Sequence, residues 1–544
     1  MTRMTGGEAV VESLIANGID TVFGLPGAQL DPIFAALHDR QDRIRVMHSR
    51  HEQGCAYMAY GYSEVSGNIG TMLVVPGPGL LNAGAAIVTG YACNTQMLCL
   101  VGQGRSPLVG KGFGVLHEIP NQLETARGLV KWADKIDHAS RIPGKIAEAI
   151  DQIRDHRPRP VYLEFPFDLS KEPAEIPDPV VAAEERVTPP VDTDHVDAAA
   201  KALAGAKCPL IMVGGGGRMA GEEILALAEM LNAPVAMTQN GRGAIDCRHE
   251  LAFTPVGGHH WWEKADVVLA LGTRLFPSAM TWGRDKGLKI IKVDIDATEL
   301  RRLPPPIQGI HGEVSEVVSL LRASVDRNLE SPVADRSDLI KTVRAAVNEE
   351  LESVAPQRQL LEIIREEIGE DGVLVSDLTQ LYFAAQDVFP VYQPRTYIHP
   401  SYQGTLGHAT ATCLGAQVAA GDRPVVGLAG DGGFMFTMQE LATAVQHNIP
   451  ATFLVMSNGV YENVERILKN DYDDRVICAD LNNPDFVKLA ESFGMPGRRT
   501  STPDGLRTAL KESIAESGPA LIEYQAPQFP SPWPLHFRKP VRGL

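Results

Sequence analysis

The stretch GDGGFMFTMQELATAVQHNIPATFLVMSNGVYEN, residues 430–463, places an acid between glycines directly after the apolar run RPVVGLA. It ends near an Asn-Gly pair that stands 27 residues beyond that acid. The start reads as a buried strand closing on a glycine turn, and TMQELATAVQHN behind it has helical periodicity. Strand, glycine turn and helix start aim backbone N–H groups at one point, which suits a phosphate. Asp431 would repel that phosphate unless a cation stood between them. A magnesium ion shared by the carboxylate, an amide oxygen and diphosphate oxygens removes the conflict. Asn458, at the end of the next apolar run ATFLVMSN, offers the amide. Adjacent parallel strands would bring both residues to the carboxyl edge of one sheet, where α/β ligands bind. A helix-capping Asp followed by an unrelated Asn-Gly turn is the plainer alternative.

Working outward, short apolar runs alternate with amphipathic stretches along the whole chain, a pattern of parallel α/β architecture. TVFGL, TMLVV, QMLCLVG and PVYLEF come first; PLIMVGG, PVAMT, DVVLALG and KIIKVDID follow; GVLVSD, PVVGLAGD, ATFLVMSN and ALIEYQ close the series. KEPAEIPDPVVAAEERVTPPVD (171–192) reads as an extended linker and RNLESPVADRSD (327–338) as a weaker break. The expected organisation is α/β, with three domains of parallel sheet flanked by helices at 1–170, 190–326 and 340–526. The Pro-rich tail 527–544 is expected to lie over the surface or a neighbour.

A net charge of −17 argues against nucleic acid and anionic membranes as partners. Seven scattered cysteines without a C-x-x-C disfavour a disulfide framework or a zinc site and fit a reducing cytoplasm. The N-terminal segment carries acids and polar residues at helical spacing, unlike a secretion signal or membrane anchor.

G-D-G followed by Asn at this distance resembles the magnesium and diphosphate motif of thiamine diphosphate enzymes. The similarity extends over about residues 4–526. RHEQGCAYMAYGYSEVSGNIG (50–70), TVFGLPGAQLDPIFAAL and VVPGPGLLNAGAAIVTGYACNTQMLCLVGQ resemble the acetolactate synthase, pyruvate oxidase and benzoylformate decarboxylase group. The resemblance implies thiamine diphosphate and magnesium as cofactors, with Asp431, Asn458 and the Val460 carbonyl as metal ligands. It makes Glu52 the cofactor-activating acid, in an apolar setting that would raise its pKa. In YQGTLGHATATCLGAQVA, Gly404 falls in the loop that holds the aminopyrimidine, and Leu406 is the apolar wedge. Gly432, Gly433, Thr379, Gln380 and Tyr461 are the further cofactor contacts. The family's first domain meets the third domain of another subunit, so a homodimer at least, with a homotetramer the expected form, is implied.

The substrate side departs from these relatives. In GVLHEIPNQLETARGLVKWA, His117 replaces the family's glutamine, while Glu118 and Lys131 keep their places. His408 stands where an apolar ring is common, and His259 and His260 occupy a segment where an active-site histidine can occur. Gln29 sits on another pocket-side loop, and Asn463 and Val464 match pocket-lining positions. His117, His408, His259, His260 and Gln29 are thus candidate proton carriers or substrate contacts, although each alone is more often structural. Trp261 and Trp262 read as packing. VGGGGRMAG admits FAD as a second cofactor, but the family's Arg-Phe-Asp-Asp is TRLFPSAMTW here, which disfavours it.

The expected activity is C–C bond cleavage or formation beside a carbonyl, foremost decarboxylation of a 2-oxo acid with or without carboligation to a second carbonyl. A non-decarboxylating lyase or hydrolase acting on a hydroxyketone or cyclic 1,2-diketone is the alternative among enzymes. A non-catalytic regulatory relative is the alternative of another class, opposed by retention of Glu52, Asp431 and Asn458.

Overall fold

A computed structural model describes residues 1–183, 188, 190–302, 307–330 and 332–543. The chain builds three six-stranded sheets of parallel strands, each flanked by helices. The first runs in the order Arg45–Met47, Thr21–Gly24, Gly70–Val74, Met97–Gln103, Val161–Pro166, Trp132–Lys135. The second runs Ala252–Phe253, Val235–Met237, Pro209–Val213, Val267–Leu271, Lys289–Asp294, Ile307–His311. In the third the order is Tyr397–Ile398, Val373–Ser376, Val425–Gly430, Thr452–Ser457, Ala520–Gln525, Gly497–Thr500. Gly430 and Met456 are register partners, so Asp431 and the Ser457-Asn458 pair leave neighbouring strands at the same edge.

The chain divides into two compact units. One contains 1–186, 373–378 and 398–527; the other contains 187–372, 379–397 and 528–544. In the first unit a single apolar cluster runs through both the first and the third sheet regions, joining Met58 and Tyr60 to Leu414 and Ala416. Its centre is the crossing of helices Glu52–Ser66 and His408–Ala420. The crossing is close because glycines face backbone. A Cβ on Gly61 would lie 2.2 Å from the Thr412 carbonyl oxygen, and one on Gly415 1.9 Å from that of Met58. The Tyr57 hydroxyl reaches Thr405 Oγ1 at 3.0 Å and the Tyr60 hydroxyl reaches the His399 carbonyl at 3.2 Å, which fixes the rotation of the first helix.

Two sequence expectations change. Part of the 171–192 linker is a strand: Pro173–Ile176 pairs antiparallel with Thr2–Thr5. Residues 184–187 and 189 of that linker, and 331 of the second break, lie outside the described residues. Helices Ser337–Leu351 and Ala355–Ile368, expected to open the third domain, belong to the second unit. The tail lies along that same unit, where Trp533 packs on Phe383 with ring centroids 4.4 Å apart and Arg542 holds Asp285 at 3.0 Å. No helix among the described residues is long and apolar enough to cross a membrane.

Candidate active site

Glu52 is the first residue of its helix, after His51, whose ring nitrogen accepts the Gln53 N–H at 3.2 Å. The carboxylate thus stands at a helix N-terminus, where the backbone dipole favours negative charge. Asn82, in the first turns of helix Pro78–Cys93, donates its amide to Glu52 Oε2 at 3.0 Å. The wall of that helix is close: a Cβ on Gly79 would lie 3.7 Å from Glu52 Cγ. From the third sheet region, buried Glu440 accepts the Arg50 N–H at 3.1 Å and the Thr443 hydroxyl at 2.6 Å. Burial pushes the Glu440 carboxyl above its usual range against these hydrogen bonds. Glu440 therefore ties the segment that carries Glu52 to the element that follows Asp431 in sequence.

Gln29 and His117, both singled out in the sequence, meet. The Gln29 amide nitrogen donates to the Leu116 carbonyl at 2.9 Å, and its Oε1 lies 3.0 Å from His117 Nδ1. A carbonyl can only accept, so the Gln29 amide is oriented, and Oε1 requires the proton on Nδ1. Nε2 of the neutral imidazole is then the basic nitrogen. His117 adopts φ 64°, an uncommon left-handed backbone for a non-glycine residue. Glu118 stabilises this loop, accepting the N–H groups of Gly112, Gly114 and Val115 at 3.0, 2.7 and 3.1 Å. The loop abuts the start of the Pro78–Cys93 helix, since a Cβ on Gly77 would lie 2.2 Å from the His117 carbonyl oxygen. Lys131 serves the frame instead, its ammonium donating to the Gln152, Asp155 and Arg157 carbonyls behind the sheet.

Asp431 is buried, with three N–H donors on Oδ2 and one on Oδ1. Oδ2 accepts the backbone N–H of Asn458 at 3.0 Å, that of Gly459 at 2.7 Å and the Asn483 amide at 2.9 Å; Oδ1 accepts the Gly432 N–H at 2.9 Å. Asp431 and Asn458 are thus together, joined through the Asn458 backbone rather than its amide. The Asn458 Oδ1 has only a 3.4 Å contact, to the Val460 N–H, too long to hold it strongly. A carboxylate, an amide oxygen and the carbonyl of the same 458–460 turn form an all-oxygen donor set of the kind magnesium takes. No cluster of three His, Cys, Asp or Glu side chains suited to a metal occurs among the described residues, so a softer ion has no competing site there. Gly432 is required by its neighbour, because a Cβ there would lie 2.3 Å from Tyr461 Cε1.

Asp377 ends the Val373–Ser376 strand and accepts the N–H groups of Leu378 and Gly407, both at 2.9 Å. Burial lifts its carboxyl to about 6, opposed by these backbone donors. It anchors the 404–407 loop, with Gly404 at φ 58° and Leu406 half-buried. In the second unit the Thr379 hydroxyl caps helix Gln380–Val388 through the Tyr382 N–H at 3.0 Å. Gln380 Oε1 is buried and receives no donor among the described residues, so a ligand hydroxyl or N–H would satisfy it. Asn463 accepts from Arg466 at 2.9 Å, and Val464 is exposed on helix Glu462–Asp471, which buries none of its residues.

The remaining histidines are placed differently from their sequence expectation. His408 is completely buried between Tyr57 and Tyr60, ring centroids 5.5 and 5.4 Å away, and neither ring nitrogen has a partner among the described residues. Burial drives its pKa down to about 3, helped by His399. A neutral imidazole sealed in a helix crossing is a packing group, not a proton carrier for substrate. His259 binds the Lys539 carbonyl at 3.0 Å and Arg538 at 3.1 Å, while His260 binds Glu350 at 2.6 Å. His259 thus spends both ring nitrogens on the tail, and His260 spends Nε2 on helix Ser337–Leu351 of the same unit. Trp261 and Trp262 are fully buried.

Four site residues escaped the sequence reading. Asp377 was legible, since VLVSD repeats the strand-then-acid pattern of VVGLAGD. Asn82 and Glu440 sit in helices with no local mark, and Asn483 reaches Asp431 across 52 residues of sequence.

Against known proteins, three family models match in order. The thiamine pyrophosphate enzyme N-terminal TPP binding domain covers residues 4–125, the central domain 196–321 and the C-terminal TPP binding domain 377–524. A probable 2-ketoarginine decarboxylase of Pseudomonas aeruginosa is 30% identical over 531 residues, covering 96% of this chain and 94% of the relative. A probable acetolactate synthase large subunit of Methanococcus aeolicus is 30% identical over 558 residues, 96% and 92% of the two chains. A sulfoacetaldehyde acetyltransferase of Castellaniella defragrans is 30% identical over 561 residues, 94% and 91% of the two. With Glu52, Asp431 and Asn458 set in the matched N- and C-terminal TPP-binding domains, the chain belongs to the thiamine pyrophosphate enzymes.

Proposed function

We propose that the protein is a thiamine diphosphate- and magnesium-dependent enzyme that decarboxylates a 2-oxo acid, with or without carboligation to a second carbonyl. When bound, thiamine diphosphate supplies the carbon nucleophile and electron sink that such chemistry requires. Asp431, the Asn458 amide and the Val460 carbonyl would hold the magnesium, and the Gly433 N–H would face the diphosphate, with that of Gly432 held by Asp431 Oδ1. Glu52 holds and returns a proton at the pyrimidine ring, with Asn82 fixing which oxygen faces the site. Leu406 would supply apolar support to the bound cofactor from the loop that Asp377 anchors.

The observation that carries the choice of reaction is the Gln29–His117 pair. Four histidines would have suited a lyase or hydrolase needing several proton transfers, but His408 is enclosed, His259 holds the tail and His260 is paired with Glu350. One oriented imidazole is the equipment for a single protonation after carbon dioxide leaves, or for handing a proton to an acceptor carbonyl. The names of the relatives point the same way, a 2-ketoarginine decarboxylase and an acetolactate synthase among them. No flavin is included in this reading, because TRLFPSAMTW stands where relatives carry Arg-Phe-Asp-Asp.

A homodimer at least, and a homotetramer as the expected form, accompanies this reading. Leu81, Phe113 and Leu116 are 54%, 70% and 61% exposed, and Tyr402 and Phe436 are 61% and 50% exposed, side chains that a partner chain would cover in this reading. Seven free cysteines suit a reducing cytoplasm.

An NMR product screen tests the function. The holo-enzyme is given pyruvate, longer, basic and aromatic 2-oxo acids, acetoin and cyclic 1,2-diketones, each with and without an aldehyde acceptor. Carbon dioxide release from a 2-oxo acid is expected; turnover confined to hydroxyketones or diketones overturns the reading in favour of the lyase.

A further inference from the structure

An open cavity of ≈ 180 Å³ lies wholly within the second unit. That is room for a small anionic molecule, below the range of drug-sized sites. Its walls combine aromatic and aliphatic surface, from Phe253, Phe389 and Leu351, with an unusual supply of guanidinium groups.

The charges do not cancel locally. Arg358 is spent on Glu362 at 2.8 Å and Glu352 at 3.6 Å. Asp387, the other acid of the lining, accepts the Val256 N–H at 3.1 Å and forms no ion pair among the described residues. Arg242 is 4% exposed, and its terminal nitrogens donate to the Gln386 and Phe389 carbonyls, but its Nε–H has no acceptor among the described residues. Arg344 uses one terminal nitrogen on the carbonyls of His249, Glu250 and Ala252 and lays its guanidinium over the Phe253 ring at 4.7 Å. It too has no carboxylate partner among the described residues. Behind Phe389, buried Arg365 lies 4.6 Å over that ring, again without an ion pair there and with one terminal nitrogen lacking an acceptor. Burial depresses the pKa of Arg242 and Arg344, outweighing the opposing attraction of Asp387 on the first and Glu250 on the second. Buried guanidinium N–H groups left unpaired are costly, and a planar fork matches phosphate and carboxylate oxygens.

We propose that this cavity binds the phosphate or carboxylate group of a small metabolite through Arg242 and Arg344, with the remainder of the molecule against Phe253 and Phe389. Arg242 also caps the last carbonyls of helix Gln380–Val388, which holds its guanidinium in place beside the cavity.

Cys247 lines the cavity and is half-buried, whereas Cys478 is exposed elsewhere, so alkylation kinetics report occupancy in the full-length holo-enzyme. Iodoacetamide labelling of each cysteine is followed by peptide mass spectrometry in inorganic phosphate, in malonate, and in sodium chloride of matched ionic strength. Loading with thiamine diphosphate and magnesium first removes the diphosphate site as a competitor. At an anion concentration about ten times its Kd, Cys247 should react about tenfold more slowly while Cys478 is unchanged. Protection by phosphate alone assigns a phosphate-bearing ligand, and by malonate alone a carboxylate-bearing one. Arg344→Gln, on the cavity rim, should remove the protection, and Arg242→Lys should weaken it. The proposal is overturned if neither anion protects Cys247 of the wild-type enzyme, if chloride does so equally, or if Arg344→Gln keeps full protection.

Discussion

Replacing His408 by Phe should stabilise the protein, and more so in acid. The wild-type ring lies between Tyr57 and Tyr60 with both nitrogens unpartnered among the described residues. Phenylalanine keeps an aromatic ring in that slot and removes two buried polar atoms, each of which costs about 1–3 kcal/mol when left unpaired. Overpacking by the larger ring offsets part of this gain. The pH dependence is cleaner than the absolute change. The imidazole's pKa is about 3 in the folded chain against an ordinary 6.5, so below 6.5 the unfolded state takes up a proton that the folded state refuses. Stability associated with His408 is therefore intact above that value and is lost as pH falls towards 3. At pH 5 the loss amounts to about 2 kcal/mol, or roughly a 30-fold change in an opening equilibrium. Hydrogen exchange of helix His408–Ala420 measures it: protection corrected for intrinsic rates is compared at pH 7.5 and 5 in the wild type and His408→Phe. The wild type should lose about 30-fold more protection than the variant over that interval. Equal losses, or an imidazole that titrates near its ordinary value by NMR, would refute the placement of His408 in the core.

Three further outcomes follow from the site and its frame. Glu52→Gln should keep cofactor affinity within about tenfold while slowing turnover by orders of magnitude; unchanged kcat would remove Glu52 from the chemistry. Asp431→Ala deprives the Asn458, Gly459 and Asn483 N–H groups of their acceptor. It should abolish magnesium-dependent cofactor binding in calorimetric titration and expose the 458–483 segment to protease, and intact binding would refute the metal assignment. Gly415→Ala drives a Cβ to 1.9 Å from the Met58 carbonyl oxygen and should cost about 3 kcal/mol or more in denaturant unfolding, whereas Gly144→Ala, with open space around it, should not destabilise.

Which parts of the fold were legible in the sequence follows from where water is. The twelve apolar runs read as strands are the four interior strands of each of the three sheets. Those strands are covered by helices on both faces, so they read as unbroken hydrophobic runs. Of the described strands that escaped, six are the edge strands of the same sheets, and Thr2–Thr5 and Pro173–Ile176 form a separate pair. Trp132–Lys135 and Gly497–Thr500 show why: they are short, polar and only half-buried, as edges that must not pair with other chains tend to be. The same logic divides the site residues. Asp431 and Asn458 are marked because each follows an interior strand, and the carboxyl edge of such strands is where ligands sit. Asn483 reaches Asp431 from a distant loop, and no local pattern announces it.

Histidine is harder to place, because its chemistry is the same wherever it lies and only its surroundings decide what it does. For His408 those surroundings were written nearby. The following residues, ATATCLGAQVAA, are small or apolar all round the helix, and a helix without a polar face is buried on every side. A histidine that opens such a helix is enclosed with it, and an enclosed imidazole without an acid beside it stays neutral. His117 stands in the opposite setting, in a glycine-rich loop that buries little. There a single polar partner, Gln29, is enough to fix its tautomer and leave one nitrogen for chemistry. The helical periodicity around a histidine is therefore a guide to its surroundings, and here it separates the enclosed ring from the one on the loop.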